Sequence, residues 1–240
     1  MKKLLKGTFT ALVTPFNDDS SIDYYSLEKL IEHQMNGKVD GIVFGGTTGE
    51  KATITKEEFE KLLSFSVKKV NGKTAIIAGT GTNSTLNSIE DTKIAKDLGA
   101  DYALIVGPYY NKPTQDGFLQ HFTKLADSTD IPLIIYNVPG RTGSNISAQT
   151  IISLSAHKNI TAVKEASGNF AQIMEILAEI DDNQFTILSG DDAITLPLIC
   201  LGGHGVISVV SNEIPEQFSK MINLALNREF EKAKKIHYRF

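Results

Sequence analysis

Eight short segments rich in β-branched and aromatic residues recur along the 240-residue chain, and longer amphipathic segments separate them. Between the first two, Leu27, Leu30 and Ile31 fall on one face of a helix by their spacing. After the second, Thr55 and Glu58 have the spacing of a capping box, which predicts that a helix begins there. The predicted strands cover residues 9–16, 41–46, 74–81, 102–108, 132–139, 160–167, 185–190 and 205–212.

The strand-then-helix order, repeated eight times, predicts an α/β fold of the (β/α)8 TIM-barrel class rather than an open sheet. Several strand segments are almost continuously apolar, which is typical of parallel strands covered by helices. No linker rich in glycine and serine divides the chain. We predict one barrel domain over residues 1–227, followed over 228–240 by a segment that looks like the start of a further helix.

Composition and charge argue against several classes of function. The formal net charge is −4, so no basic surface for nucleic acid is expected. No apolar run approaches the length of a membrane-spanning helix, and Lys6 and Gly7 interrupt the apolar stretch near the N-terminus too early for a signal peptide. The single cysteine, Cys200, lies in the apolar run 198–201, where we expect a small buried side chain. We therefore expect a cytoplasmic protein without nucleic-acid or membrane partners.

The sequence carries no pattern typical of a metal or dinucleotide site. None of the five histidines forms a His-x-x-x-His pair or lies at ligand spacing from a carboxylate, so a catalytic metal is not expected. No Gly-x-Gly-x-x-Gly follows the first predicted strand, so dinucleotide binding is not indicated either.

Active sites of this fold lie at the C-terminal ends of the strands, and Lys164 is the unusual residue there. It ends the apolar run 160–163, in a strand that we expect to be covered on both faces. Burial lowers the pKa of a lysine, and a neutral amine can attack a ketone. The alternative is a lysine at a frayed strand end with its ammonium in water.

Other strand ends carry groups that could bind or move protons on a small acid. The Gly-rich segment 46–50 contains Thr47 and Thr48, which could hold a carboxylate or simply form a tight turn. Arg141 follows the fifth strand and could clamp a carboxylate or remain a solvated loop charge. The tyrosines at strand ends, which could relay protons or only pack, are Tyr109, Tyr110 and Tyr136.

These strand-end motifs resemble one family, the pyruvate-dependent class I lyases that include N-acetylneuraminate lyase and dihydrodipicolinate synthase. The matching segments occur in order over nearly the whole chain, at residues 46–50, 79–81, 108–113, 136–139, 163–165, 189–191 and 205–208. Members of the family continue with further helices, so the resemblance implies a barrel catalytic domain over residues 1–227 and, over 228–240, the start of a C-terminal helical extension that is largely missing. Tyr136, Asn137 and Arg141 belong to a pattern that resembles the dihydrodipicolinate synthase branch. The resemblance implies condensation of pyruvate with aspartate-4-semialdehyde in lysine and diaminopimelate biosynthesis, with no cofactor beyond a covalent imine on lysine.

The resemblance also implies roles for the catalytic residues. Lys164 would form the imine with pyruvate, and Tyr136 would shuttle protons together with Thr47 and Tyr110. Tyr110 would come from a neighbouring subunit, so a homo-oligomer, either a dimer or a tetramer, is implied.

Substrate contacts follow in the same way. Thr48 would hold the pyruvate carboxylate, Arg141 would bind the carboxylate of the semialdehyde, and Gly190 and Ile207 would line the pocket. Two other readings stay open at this point. One is an N-acetylneuraminate lyase or a 2-keto-3-deoxy sugar acid aldolase of the same family, and the other is an inactive truncated barrel that binds a 2-oxo acid.

A regulatory cleft is only partly matched. Lysine-inhibited members of the family carry a histidine and a glutamate in this cleft, where the present chain has Phe59 and Asn87, whereas Asn83 and Tyr109 match. Without the glutamate, the ammonium of a bound lysine would lack a partner. We therefore predict weak or absent feedback inhibition.

Overall fold

The computed structural model describes residues 4–239, and their eight parallel strands close into a barrel in chain order, with β1 pairing with both β2 and β8. The predicted (β/α)8 fold is confirmed. All eight strands occur where the sequence predicted them, although each ends earlier, because the chain turns away from the barrel to form the loops at its mouth. The strands are β1 (Gly7–Ala11), β2 (Gly41–Phe44), β3 (Ala75–Gly79), β4 (Tyr102–Val106), β5 (Leu133–Asn137), β6 (Ile160–Glu165), β7 (Thr186–Ser189) and β8 (Gly205–Ser208).

Ten α-helices lie within the described residues, and two short 3-10 turns (Asp192–Ile194 and Val210–Asn212) follow the last two strands. The helices are α1 (Tyr24–Asn36), α2 (Lys56–Val70), α3 (Thr85–Asp97), α4 (Gln115–Ser128), α5 (Pro139–Thr142), α6 (Ala148–Ser155), α7 (Phe170–Glu179), α8 (Thr195–Cys200), α9 (Pro215–Leu226) and α10 (Phe230–His237). The last of them packs on α9 and α8 and buries Ala233. The division of the chain at residue 227 stays a prediction.

Polar caps define where the helices begin. Thr55 accepts a hydrogen bond from the backbone N–H of Glu58, and the Glu58 carboxylate accepts one from Thr55, so the predicted capping box at α2 is confirmed. Asp23 caps α1 and Asn169 caps α7 in the same general way. Such caps satisfy amides that have no partner within the helix and contribute about 1 kcal/mol each.

The barrel interior is a packed core that closes the lower part of the barrel. Phe9, Ile77, Leu104 and Ile134 from four strands meet there, and all are less than a tenth exposed. A second layer of apolar side chains lies between the strands and the helices, as in Phe118 and Phe122 of α4. Because the interior is filled below, the open space of the barrel is confined to its C-terminal mouth.

No helix in the described part of the chain is long and apolar enough to cross a membrane. The expectation of a buried Cys200 was wrong, because this side chain is exposed at the end of α8. Leu198 and Ile199 of the same run are buried. The four residues of this run are all apolar, so the sequence does not indicate which of them face the core. In a helix successive side chains point in different directions, and here Cys200 points to the surface.

Candidate active site

The β6 strand is buried along its whole length, and Lys164 is only 5% exposed. The alternative of a lysine at a frayed strand end is therefore wrong. The pKa of Lys164 is lowered to about 8, mainly because the amine is buried; the carboxylate of Asp192 opposes this shift, and the nearby charge of Arg141 adds to it. At neutral pH a useful fraction of this amine is unprotonated and nucleophilic.

A β-bulge aligns Lys164 with Tyr136. Leu133 of β5 pairs with Ile160 of β6, but Ile134 pairs with Ala162, so one residue of β6 is extra at this point. Beyond it, Tyr136 and Lys164 are paired neighbours, and the Lys164 Nζ lies 4.2 Å from the centroid of the Tyr136 ring. Because a bulge adds one residue, every later side chain of the strand lies on the face opposite to the one that it would occupy without the bulge. Here the bulge brings the amine and the phenol side by side into the barrel.

A cavity of about 470 Å³ opens above these two side chains at the barrel mouth. It is of a size that suits two small substrates. Among the residues predicted from the sequence, those that line it are Thr47, Thr48, Tyr136, Arg141, Lys164 and Gly190. The structure thus gathers around one cavity six residues from four strand ends, those of β2, β5, β6 and β7.

The loop after β2 brings the two threonines to the cavity. Gly45 has a left-handed backbone (φ 65°), and a Cβ on Gly79 would come within 2.1 Å of the Gly45 oxygen, so β3 approaches this loop too closely for any side chain. Thr47 is hydrogen-bonded to the side chain of Tyr136. Burial raises the pKa of Tyr136, while the charge of Arg141 and the Thr47 hydrogen bond lower it. The phenol therefore stays protonated at neutral pH, with a hydroxyl neighbour able to exchange a proton with it.

Arg141 and Gly190 shape the outer part of the cavity. Arg141 lies on the four-residue helix α5, which begins with Pro139 directly after β5, so the guanidinium is held beside the cavity. A Cβ on Gly190 would lie 3.0 Å from Lys164 Cε and 2.7 Å from Ala166 Cβ, so this position leaves the lysine room to react.

Four predicted residues lie outside this cavity. Ile207 is fully buried in the barrel core and does not line the cavity wall. Tyr110 is 89% exposed, with φ 68°, and its ring does not reach the cavity within this chain. Tyr109 lines a second cavity of about 360 Å³ on the other side of Tyr136, and Asn83 is hydrogen-bonded to Asn111.

The positions of the regulatory cleft carry a different arrangement here. Phe59 is buried, and the Lys51 ammonium lies 4.3 Å from the centroid of its ring and 3.7 Å from a carboxylate oxygen of Asp91. Lys51 also lines the second cavity beside Tyr109. Asn87 is exposed in the first turn of α3.

Sequence reasoning missed the role of Asp192, although its place directly after β7 could have drawn attention to it. Its Oδ2 accepts hydrogen bonds from the backbone amides of Val209 (2.9 Å) and Val210 (3.0 Å), which fixes the loop after β8. Its Oδ1 is buried and has no hydrogen-bond partner within residues 4–239. Asp192 lines the cavity, and its charge favours the protonated form of Lys164.

Comparison with known proteins agrees with this geometry. The model of the dihydrodipicolinate synthetase family matches residues 4–240. The 4-hydroxy-tetrahydrodipicolinate synthases of Protochlamydia amoebophila and Methanocaldococcus jannaschii are 47% identical over 235 residues and 46% identical over 237 residues. These matches cover 97% and 98% of this chain, and 78% and 81% of the relatives.

A solved structure agrees equally well over the same length. The crystal structure of dihydrodipicolinate synthase from Aquifex aeolicus superposes with a TM-score of 0.95 at 45% identity, covering 98% of this chain and 80% of that one. These relatives are all named dihydrodipicolinate synthase or 4-hydroxy-tetrahydrodipicolinate synthase. The present chain combines that similarity with a lysine buried at a strand end, a phenol paired with it and an arginine beside the cavity. The chain belongs to the dihydrodipicolinate synthetase family.

Proposed function

We propose that this chain is a lyase of the 4-hydroxy-tetrahydrodipicolinate synthase type, which condenses pyruvate with L-aspartate-4-semialdehyde through a Schiff base on Lys164. The observation that carries the proposal is a buried amine of lowered pKa, 4.2 Å from a tyrosine ring, inside a cavity of about 470 Å³. The names of the relatives support it. In this proposal the step belongs to lysine and diaminopimelate biosynthesis.

The first half of the reaction activates pyruvate. The neutral amine of Lys164 attacks the ketone carbon of pyruvate, and uptake of one proton with loss of one water gives the protonated imine. This imine withdraws electrons, so a proton leaves the pyruvate methyl group and an enamine forms. In this proposal Tyr136 accepts that proton and passes it on through Thr47, to which it is hydrogen-bonded. Thr48, which lines the cavity, holds the pyruvate carboxylate together with nearby loop amides.

The second half forms the carbon–carbon bond. The enamine carbon attacks the aldehyde carbon of the semialdehyde, and the resulting alkoxide takes a proton from the tyrosine relay. The amino group of the second substrate then displaces Lys164 from the imine carbon, which closes the ring and frees the lysine. Arg141, which lines the same cavity, supplies a bidentate partner for the carboxylate of the semialdehyde.

Assembly and location belong to the same proposal. Tyr110 is 89% exposed at a strand end, which supports its contribution to the cavity of a second copy in a homodimer or homotetramer. In this proposal no cofactor takes part besides the covalent imine, and the reaction occurs in the cytoplasm, where pyruvate is produced.

The test is borohydride trapping with pyruvate followed by peptide mapping. We expect a reduced pyruvyl adduct on Lys164, an unchanged yield in a Lys124→Arg control on the exposed face of α4, and none in Lys164→Arg. A panel of aldehydes then identifies the second substrate. A folded wild-type protein without an adduct would contradict the proposal, and preference for N-acetylmannosamine or glyceraldehyde would reassign it within the family.

A further inference from the structure

Behind the site, on the outer face of the barrel, lies a buried carboxylate that the reaction does not use. Glu165 follows Lys164 in β6 and is fully buried. Its Oε1 accepts a hydrogen bond from the backbone N–H of Ser167 (2.7 Å). Its Oε2 accepts hydrogen bonds from Asn137 Nδ2 (3.0 Å) and Gln172 Nε2 (3.2 Å). All partners are donors, as an ionised carboxylate requires.

The amides around Glu165 are themselves bonded, so the network has one consistent arrangement. Asn137 Oδ1 accepts from the backbone N–H of Ile146 (3.0 Å), and Asn137 Nδ2 also donates to Asn145 Oδ1 (2.8 Å). Asn145 Nδ2 donates to Gln172 Oε1 (2.7 Å). Turning any of these amides over would leave a buried group without its partner, which costs about 1–3 kcal/mol.

Stability alone gives a weak reason for this network. Burying a carboxylate is expensive, and no ion pair of Glu165 occurs among the salt bridges of residues 4–239. Replacing buried charged groups by well-packed apolar ones is often neutral or stabilising. A network of this kind therefore points to a need for one fixed arrangement of the segments that it joins.

The joined segments are those that present the reactive groups. Asn137 follows Tyr136 in β5, and Glu165 follows Lys164 in β6. Asn145 lies three residues beyond the short helix α5, which carries Arg141. Neighbouring residues of a strand point to opposite faces, so fixing the outward pair also fixes the inward pair. The two pairs are in register, Tyr136 with Lys164 and Asn137 with Glu165.

We propose that Glu165 is a positioning residue, which holds the ends of β5 and β6 together from outside the barrel so that Lys164 stays against Tyr136. The inference rests on the proposed Schiff-base function. Without this support the bulged strand pair is free to separate at the mouth, and water reaches the amine. A misplacement of about 1 Å is enough to slow a reaction about 100-fold.

The experiment compares three variants. Glu165→Gln keeps the shape but places an NH2 group opposite the donors of Asn137 and Gln172, and Gln172→Met is a milder change that removes one donor. The control, Asn159→Ala, removes hydrogen bonds to the Ala126 and Thr129 carbonyl oxygens at the opposite end of the same strand pair. For each variant we would measure the melting temperature, the rate of pyruvate adduct formation against pH, and kcat.

The expected result is specific to the two site variants. Glu165→Gln lowers kcat and the rate of adduct formation at pH 7 by about 10- to 100-fold, and Gln172→Met lowers them less. Hydration of Lys164 raises its pKa, so the pH midpoint of adduct formation moves upward by about half a unit or more. The Asn159→Ala control keeps the wild-type pH midpoint, and its rate of adduct formation stays within about twofold of the wild type, even where its melting temperature falls as much as that of the site variants.

Other results overturn the inference. One such result is a Glu165→Gln protein whose rate of adduct formation and pH midpoint equal those of the wild type. Another is a rate of adduct formation that falls in proportion to the loss of melting temperature, to the same extent in the site variants and in the Asn159→Ala control. A downward shift of the midpoint would show an effect of the Glu165 charge through space instead. A wild-type protein that forms no adduct would overturn the proposed function as well. If the wild type forms the adduct and Glu165→Gln changes neither its rate nor its pH midpoint, only this inference is overturned.

Discussion

Lys164→Met is expected to stabilise the folded protein at neutral pH while it abolishes the adduct with pyruvate. The lysine side chain is 5% exposed, and burial lowers its pKa from 10.5 to about 8. This difference corresponds to about 3 kcal/mol by which the folded state disfavours the ammonium. Methionine is unbranched, similar in length and uncharged, so it fills the same space without that penalty.

The sign of the pH dependence follows from the two pKa values of Lys164. Below pH 8 the lysine is protonated in both the folded and the unfolded state, so the full penalty of about 3 kcal/mol is present. Between about pH 8 and 10.5 the folded protein has lost this proton while the unfolded chain keeps it, so the penalty decreases as the pH rises. The advantage of Lys164→Met should therefore be largest at pH 7 and should decrease toward pH 10.

Urea unfolding of both proteins at equal concentration, at several pH values from 6 to about 10, measures this difference directly. Lys124→Met on the exposed face of α4 is the matched control, and its effect should be small and independent of pH. A Lys164→Met protein that is no more stable than the wild type at pH 7, or whose advantage does not change with pH, would refute the reasoning.

The same numbers show why a destabilising lysine is useful. With a pKa of about 8, roughly a tenth of the Lys164 amine is neutral at pH 7. With the ordinary value of 10.5 the neutral fraction would be about 300-fold smaller. Burial of Lys164 thus lowers the stability of the folded protein and raises the fraction of the amine that is neutral and nucleophilic at pH 7. Such a compromise between stability and activity is common at active sites.

Three further outcomes are expected. Asp192→Asn removes the carboxylate that favours protonated Lys164, so the pH midpoint of adduct formation should fall below that of the wild type, and a rise would contradict the electrostatic role. Gly190→Ala places a methyl group 3.0 Å from Lys164 Cε and 2.7 Å from Ala166 Cβ, so trapping should show at least about a tenfold slower adduct and the melting temperature should fall by a few degrees. Added L-lysine in the millimolar range should inhibit turnover only weakly or not at all, because Phe59 and Asn87 stand where inhibited relatives carry a histidine and a glutamate; clear inhibition would contradict this.

The local sequence determined the architecture and the region of the site. Runs of β-branched residues and the helical spacing of apolar residues depend on neighbours within a few positions, so eight strands and the capping box at Thr55 were predicted correctly. Because every parallel strand of such a barrel ends at the same rim, the sequence alone predicts that Lys164, Tyr136 and Arg141 lie at one mouth of the barrel.

Only the tertiary structure decided which groups face one another. The bulge in β6 brings Lys164 beside Tyr136; without it Lys164 would pair with Asn137, whose side chain is directed out of the barrel. The burial of Lys164, the approach of Asp192 and the hydrogen bonds around Glu165 likewise join segments far apart in the chain. Such contacts depend on strand register and loop closure, which follow from the packing of the whole barrel rather than from local sequence patterns.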